Sequence, residues 1–216
     1  MEVGNNFVSI VSLGCFNPAI LTPKFFKEYC DVSIDLESVK SVTTPIASSI
    51  KYKNIEISVE LSKYQIVERN VRSTSKIKIL KYFLNYFRVL KYTPIYKIGI
   101  NFNSTIFKVE QNTLDLLNNG KSLREFFGTD DLTYLNKVKI SQTDINEVLW
   151  NLFYTVKENY QITISLTLNN GDLVINQNFE FSDIESNKNI YYRIFRKYPT
   201  LEKKNSKFLQ YLMGGN

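Results

Sequence analysis

The residues of this chain that could perform catalysis occur in a few short groups. Asp35 and Glu37 precede Lys40, and a second group of a carboxylate with lysines occupies residues 202–204. Carboxylates beside a lysine are typical of nucleases that hold Mg²⁺ through one or two carboxylates. The spacing of the first group does not match such a site, and the second lies in a segment with a helical pattern. Solvated surface charge is the simpler interpretation of both groups.

A Ser-x-x-Lys pattern, which belongs to the motif set of penicillin-binding enzymes, begins at Ser48 and again at Ser73. The companion Ser-Asp-Asn and Lys-Thr-Gly motifs of those enzymes are missing. Two matches without their companions indicate chance. The Ser-Thr-Ser cluster at residues 73–75 is better interpreted as the cap of a helix.

The chain contains no histidine, which removes the commonest general base, the commonest metal ligand and every Ser–His or Cys–His nucleophile. Cys15 and Cys30 are too few for a structural zinc site. We expect both to be buried free thiols, although their spacing also permits a disulfide. No Gly-rich phosphate loop is present, which argues against an NTPase or a nicotinamide enzyme. We therefore expect a protein that is not an enzyme and that binds no cofactor and no metal.

Charge is distributed unevenly along the chain. Nine basic residues and no acid lie between Glu68 and Glu110, and seven basic residues accompany the single Glu202 between Lys188 and Lys207. The rest of the chain has eleven basic and twenty acidic residues, a formal charge of −9, against +6 for the whole chain. Such a distribution governs association with partners rather than the fold.

The basic residues of both stretches are interleaved with tyrosines, among them Tyr82 and Tyr86 in the first and those at 191–198 in the second. This mixture suits phosphate contacts with aromatic stacking. It also suits an interface with an acidic protein, including the acidic part of a second copy. An ordinary solvated face whose tyrosines half-bury against the core is a third interpretation. The candidate contact residues are Lys78, Lys81, Tyr82, Arg88, Lys91, Arg193, Arg196 and Lys197.

The elements that position these residues follow from periodicity and turn signals. Residues 7–13 predict a strand and 14–18 a turn, and Thr22 is an N-cap before Pro23 at the start of a short helix. Residues 54–61 alternate between apolar and polar side chains, which predicts a half-buried strand after a hairpin turn near 53–54.

The strongest helix signal runs from the serine cluster at 73–75 to Tyr92, where Thr93 and Pro94 end it. Residues 95–109 then predict a strand, and 114–118 a short helix before a capping box at 122–125. The apolar stripe of the central helix consists of Ile77, Leu80, Leu84, Phe87, Val89 and Leu90.

From Leu132 the pattern is that of strands at 134–141, 148–157 and 161–181, the last folded into a hairpin at 169–172. A long C-terminal helical region follows and is broken at Pro199. We predict an α+β fold with a largely antiparallel sheet of about seven or eight strands and about four helices, as a single domain over residues 1–216. No apolar run can cross a bilayer and the first residues lack the basic region of a signal peptide, so we expect no membrane contact and a cytoplasmic location.

Two short segments carry a resemblance. The first reads Gly-Cys-Phe-Asn-Pro-Ala-Ile from Gly14, with Pro23 and Phe25 after it, and the second reads Thr-Pro-Ile from Thr93 and Gly-Ile-Asn from Gly99. They resemble a group of uncharacterised, sporadically distributed bacterial proteins that begin with a Gly-x-Phe-Asn-Pro turn and carry a Thr-Pro-Ile…Gly-Ile-Asn strand after a central helix. The resemblance spans about half the chain. It implies an α+β domain of bacterial or phage origin with no assigned activity, and the sporadic distribution suits mobile elements or anti-phage systems.

The leading hypothesis is a non-enzymatic binding or assembly subunit of a bacterial multi-protein system, such as one for phage defence. Its partner would be another protein subunit or a second copy of itself, contacted through residues 69–108 and 188–207. The second hypothesis is a nucleic-acid-binding protein that uses the same residues. A third is a metal-dependent nuclease or small-ligand enzyme that uses Asp35 and Glu37.

Overall fold

The computed structural model describes residues 2–30, 36–71, 78–118, 126, 134–142, 145–156, 160–182 and 190–214. Within these residues the helices are α1 (Pro23–Tyr29), α2 (Ile79–Val89), α3 (Gln111–Asn118) and α4 (Ile190–Leu212), with short 3₁₀ turns at Pro18–Ile20 and Leu36–Ser38. The strands are β1 (Glu2–Gly14), β2 (Lys40–Thr43), β3 (Ala47–Tyr52), β4 (Ile55–Glu60), β5 (Lys63–Arg69), β6 (Ile95–Phe107), β7 (Tyr134–Gln142), β8 (Ile145–Val156), β9 (Tyr160–Asn169) and β10 (Asp172–Phe181).

The strands are hydrogen-bonded in the order β2-β3-β4-β5-β1-β6-β10-β9-β8-β7. The pairings from β2 through β5 to β1 are antiparallel, and so are those from β7 through β9 to β10. The prediction of an α+β fold with a largely antiparallel sheet and about four helices is therefore confirmed. The described part contains ten strands rather than seven or eight, because the sequence analysis missed β2 and β5.

The hairpin turns follow the local sequence. Asn169 pairs with Asp172 across a two-residue turn in which Asn170 has φ 51° and Gly171 has φ 84°, the left-handed backbone that Asn-Gly adopts at little cost. Tyr52 pairs with Ile55 around Lys53, which also has a positive φ of 54°. Both predicted hairpins are confirmed. The capping box predicted at 122–125 lies outside the described residues.

The chain groups into two compact units. The α2 unit comprises Phe7–Ile100 and Phe181–Tyr198, and the α3 unit comprises Met1–Asn6, Asn101–Glu180 and Pro199–Asn216. The prediction of one domain over residues 1–216 stays a prediction.

A cluster of buried rings forms the core of the α2 unit. Phe83, Tyr86 and Phe87 of α2 pack on Tyr64 of β5, with ring centroids 4.5 Å apart for Tyr64 and Tyr86 and 5.3 Å for Tyr64 and Phe87. Phe26 of α1 lies 5.9 Å from Tyr86. Ring pairs at these distances contribute about 0.5–1.5 kcal/mol each beyond their burial. The cluster therefore fixes α2 on the sheet.

In the α3 unit, polar contacts tie the helices to the strands. Gln177 of β10 donates to Asn205 of α4 at 2.8 Å, and both side chains are buried. The hydroxyl of Thr113 in α3 donates to the carbonyl oxygen of Leu212 in α4 at 2.8 Å. Because each bond pairs groups that are out of water, it offsets a desolvation cost as well as orienting the helices.

The C-terminal helical region is confirmed, but the break predicted at Pro199 is not observed. One helix assignment runs from Ile190 to Leu212 with Pro199 inside it. Proline removes one helical hydrogen bond and disfavours the helix interior. Here Tyr198 and Leu201 on either side of it are buried, and such tertiary packing overrides the local preference.

Candidate functional site

Parts of the two segments that carry the resemblance, residues 14–15 and 94–95, lie against each other in the α2 unit. The backbone N–H of Cys15 donates to the carbonyl oxygen of Pro94 at 3.0 Å. A Cβ on Gly14 would lie 2.2 Å from the same oxygen and 3.2 Å from the Cα of Ile95. Only a residue without a side chain allows this approach of two backbones. The Gly14 and Thr93-Pro94 signals are thus parts of one structural junction.

Local sequence shapes each side of the junction. Asn17 accepts a hydrogen bond from the N–H of Ala19 at 3.1 Å and caps the short 3₁₀ turn that Pro18 begins. Thr22 then caps α1 by accepting from the N–H of Phe25 at 3.1 Å. On the other side, α2 ends at Val89. The predicted turn, the predicted cap and the helix stop before Pro94 are all confirmed, although α2 ends before Tyr92.

A cleft of about 450 Å³ lies between the two sides of this junction, lined by residues 15–17, Ile20, Tyr86 and 89–94. We call it the junction cleft. Of the described residues that line it, only Lys91 is charged. The sequence analysis treated both segments as purely structural and did not predict the cleft. Their joint appearance in one resemblance was the signal that could have indicated a shared site.

The thiol of Cys15 lies at the junction cleft, 2.9 Å from the hydroxyl oxygen of Tyr96. Cys15 is exposed and Cys30 is buried, and both are free thiols. The expectation that both cysteines are buried is therefore wrong for Cys15, since it lies in the exposed turn rather than under the sheet. Cysteine is usually buried, so the residue type alone does not identify a cysteine that is exposed.

The candidate cations of the first basic stretch are exposed. Lys81 and Arg88 lie on α2, Lys78 immediately before it and Lys91 just after it. Lys81 and Arg88 are seven positions apart, so they project from nearly the same side of the helix, about 10 Å apart along its axis. We call these four residues the α2 basic face.

An acid contacts the described start of α2. Residues 72–77, with the predicted serine cap, lie outside the described residues, and the helix begins at Ile79. The backbone N–H of Lys78 donates to the carboxylate of Glu68 at 3.0 Å, and the amide of Asn54 donates to the same carboxylate at 3.2 Å. Glu68 is buried. A negative charge at a helix N-terminus is stabilising, so β5 positions the beginning of the α2 basic face.

The tyrosines of this stretch are buried to different degrees, and the stacking role expected for Tyr82 stays a prediction. Tyr86, placed off the apolar stripe by the sequence analysis, is 1% exposed and belongs to the ring cluster. Tyr82 is half-buried, and burial raises the pKa of its hydroxyl. The buried stripe is instead Ile79, Leu80, Phe83, Tyr86 and Phe87. Large rings bury more area than Leu84 and Val89 would, and this area decides which face turns inward.

The second basic stretch divides between the two units. Arg196 is exposed and Lys197 partly exposed on the part of α4 that belongs to the α2 unit. Arg193 lies in the same helix, and its side chain lies outside the described part. Tyr198 is buried and not available for stacking. Lys204 belongs to the α3 unit, where its Nζ lies 2.6 Å from the hydroxyl oxygen of Tyr160. The second basic stretch is therefore divided after Tyr198, and its use as a contact segment stays a prediction.

Cys30, Tyr64 and Tyr86 form a buried titratable group beneath α2. Burial raises the pKa of Cys30 to about 12, partly opposed by the nearby charge of Arg88. Burial is also the main cause that raises the pKa values of Tyr64 and Tyr86. At neutral pH the Cys30 thiol is therefore protonated, and a protonated buried thiol is a poor nucleophile.

This burial predicts alkaline instability. The unfolded chain releases the three protons from about pH 9 upward, where the folded chain retains them, so the unfolded state binds fewer protons and stability falls as pH rises. Each group contributes a slope of about 1.4 kcal/mol per pH unit between its unfolded and folded pKa values. Urea unfolding followed by circular dichroism at about pH 8, 9.5 and 10.5 measures the slope.

The control for this prediction is Tyr64→Phe. It removes one titrating group and a hydroxyl for which the described residues provide no hydrogen-bond partner. We expect a shallower slope and a stability at about pH 8 that is equal to or greater than that of the unaltered protein. An unchanged free energy of unfolding up to about pH 10.5 contradicts the burial of these groups.

The hypothesis of a metal-dependent nuclease or small-ligand enzyme that uses Asp35 and Glu37 has no supporting arrangement among the described residues. Among the described residues, no group of three Cys, Asp or Glu side chains is arranged to hold a metal ion. Glu37 is exposed on the second 3₁₀ turn, and Asp35 lies outside the described residues. No helix in the described part is both long and apolar enough to traverse a bilayer.

The chain matches no protein-family model and shows no significant match to a curated protein.

Proposed function

We propose that this protein is a non-enzymatic binding or assembly subunit that contacts an acidic protein partner through the α2 basic face. The observation that carries the proposal is the exposure of Lys78, Lys81, Arg88 and Lys91 on one short helix and its ends. These cations lie within a stretch of the chain that has no acid from residue 69 to 109. A surface with one sign of charge steers association with a partner of the opposite sign.

Rigidity supports this use of α2. One side of the helix is held by the ring cluster, while the cations occupy the other side. A contact surface on a packed helix loses little conformational entropy on binding. The resemblance adds a setting, a multi-protein system of a bacterium such as a phage-defence assembly, in which the partner is another subunit or a second copy. The expectation of a cytoplasmic location comes from the sequence.

Charge reversal tests the proposal. The double variant Lys81→Glu with Arg88→Glu is expected to reduce retention of the protein's native-host partners on the tagged protein by more than about tenfold, since close interfacial charge pairs contribute more than 1.4 kcal/mol. Quantitative mass spectrometry of the co-purified proteins gives the measurement, and light scattering of the pure protein reports any self-association.

The matched control is Lys24→Glu with Lys40→Glu, which changes the net charge equally at exposed positions of α1 and β2 in the same unit. This control is expected to retain the partners. Equal retention by both double variants contradicts the α2 basic face as the contact surface.

Nucleic acid is the alternative partner, favoured by the cations Lys81 and Arg88 on one side of α2. Two tyrosines expected to stack on bases, Tyr86 and Tyr198, are buried, so binding would depend mainly on phosphate contacts. Phosphate contacts release counterions, and several of them make the affinity collapse between about 50 and 200 mM salt. Fluorescence anisotropy with short DNA and RNA at these two salt concentrations decides between the two partners.

A further inference from the structure

The junction cleft has the size and lining of a site for side chains. Its volume of about 450 Å³ falls within the range of about 300–1,000 Å³ that is usual for ligand pockets. Phe16, Ile20 and Val89 contribute apolar surface to its lining, and Val89 is 37% exposed. An apolar side chain of a binding partner would therefore remove apolar surface from water on both molecules.

Exposed apolar side chains continue beyond the cleft. The N–H of Phe16 donates to the carbonyl oxygen of Leu61 at 2.8 Å, which holds the turn between β4 and β5 beside the junction. Leu61 is 57% exposed. Ala47 pairs with Glu60, so Ile46, which is 69% exposed, lies at the same end of the sheet. Adjacent exposed apolar side chains mark a protein-binding surface more often than scattered ones do.

The charge at the cleft is positive. Lys91 lines it, and its Nζ lies 4.9 Å from the ring centroid of Tyr92, which is 85% exposed. Arg88 is exposed one helical turn before Lys91. Both cations lie in the acid-free stretch of the chain. A carboxylate bound near Lys91 would meet attraction without a competing acid from that stretch.

We propose that the junction cleft binds an acidic, apolar peptide segment of a partner protein. An aliphatic or aromatic side chain of the segment occupies the cleft, a second apolar side chain reaches toward Leu61, and a carboxylate pairs with Lys91. The charge complementarity with Lys91 and Arg88 selects an acidic segment over a basic one. This inference rests on the proposed function, because it names the chemistry of the partner at a site adjoining the α2 basic face.

The rate at which a thiol reagent modifies Cys15 can report peptide binding in the cleft. It lines the cleft and is exposed, whereas Cys30 is fully buried, so a thiol reagent modifies Cys15 selectively in the folded protein. The probes are two pools of short synthetic peptides. One pool is randomised among Asp, Glu, Leu, Ile and Phe, and the other has Lys and Arg in place of the acids. We expect the acidic pool to slow Cys15 modification at least threefold and the basic pool to leave the rate unchanged.

Cleft variants complete the test. Val89→Glu with Lys91→Glu alters two exposed positions and is expected to abolish the protection by the acidic pool, with an unchanged circular dichroism spectrum. Lys81→Glu alone is expected to retain at least half of the protection, since Arg88 and Lys91 remain. Absence of protection by the acidic pool, or equal protection by both pools, overturns the proposal.

Two further outcomes separate this inference from the proposed function. If the Lys81 and Arg88 reversal loses the native partners while the Val89 and Lys91 variant retains them, the assembly role stands and the cleft inference fails. If light scattering shows self-association that only the cleft variant abolishes, a second copy occupies the cleft, and the peptide proposal is overturned.

Discussion

Replacing Phe83 by alanine is expected to lower the free energy of unfolding by about 4 kcal/mol. Phe83 is fully buried, with its ring centroid 4.8 Å from that of Phe87 and 6.0 Å from that of Tyr64. Truncation removes the transfer free energy of a phenyl ring and leaves a cavity between α2 and β5, and the two losses add. With a typical total stability of about 5–15 kcal/mol, the variant would be close to unfolding.

Urea unfolding followed by circular dichroism measures this loss. The control within the ring cluster is Phe83→Leu, which keeps most of the volume and is expected to cost less than about 1.5 kcal/mol. The surface control is Tyr92→Ala at an 85% exposed position, which is expected to change stability by less than about 0.5 kcal/mol. A loss below about 1 kcal/mol for Phe83→Ala would show that the cluster does not hold α2 in place.

Gly14→Ala is expected to cost about 3 kcal/mol, a large effect for a single methyl group. The new Cβ would lie 2.2 Å from the carbonyl oxygen of Pro94, far inside van der Waals contact. The ring of Phe16, 3.1 Å away, could rotate, but the carbonyl oxygen of Pro94 and the Cα of Ile95 are backbone atoms and cannot, so the two segments must separate. Separation also strains the 3.0 Å hydrogen bond from Cys15 to Pro94. Overpacking of this kind typically costs about 1–3 kcal/mol, and backbone contacts lie at the upper end.

Gly4→Ala is the matched control. Its Cβ would lie 3.0 Å from the ring of Phe107, a side chain that is 39% exposed and can shift, so the expected cost is below about 1 kcal/mol. Thermal unfolding of both variants gives the comparison. Gly14→Ala should also change the rate of Cys15 modification, because the junction cleft is built on the same contact. Equal melting temperatures for the two variants would contradict the close approach at Gly14.

These two predictions concern the attachment of α2 and of the segment that follows it. The ring cluster holds the inner side of α2 on β5, and the Gly14 junction holds the segment that follows its C-terminus. The α2 basic face and the junction cleft are therefore presented by a fixed scaffold. Binding sites on packed elements keep their geometry better than sites on free loops.

Predictions from neighbouring residues were correct where the structure depends on one turn or one helix cap. Asn170 and Gly171 form the predicted hairpin turn, and Thr22 caps α1. Each of these features depends on the backbone preferences and side-chain hydrogen bonds of neighbouring residues. The alternation over residues 54–61 also predicted β4 correctly, because one face of that strand is buried.

The predictions were wrong where tertiary packing determines which residues form a strand or become buried. β2 is exposed along its whole length, so it shows no alternation. It is held by pairing with β3 and by the hydroxyl of Thr43, which donates to the carbonyl oxygen of Leu21 at 3.1 Å. In β5 the buried residues include Glu68, whose charge masks the pattern of a core strand until its role at the start of α2 is known. Tyr86 was left off the predicted apolar stripe, with half-burial against the core as one interpretation, yet its ring is fully part of the core.

The sequence by itself determined the turns, most of the strands, the presence of α2 and the segregation of positive charge, since these depend on composition and on residues close in the chain. Only the tertiary structure decided that residues 14–17 meet residues 93–96, as in the bond between Cys15 and Tyr96 across 81 positions. The burial of Tyr86 and the position of Lys91 at the junction cleft also depend on the tertiary structure. Contacts between distant segments depend on strand pairing and on which side chains fill the core, and no local pattern encodes either.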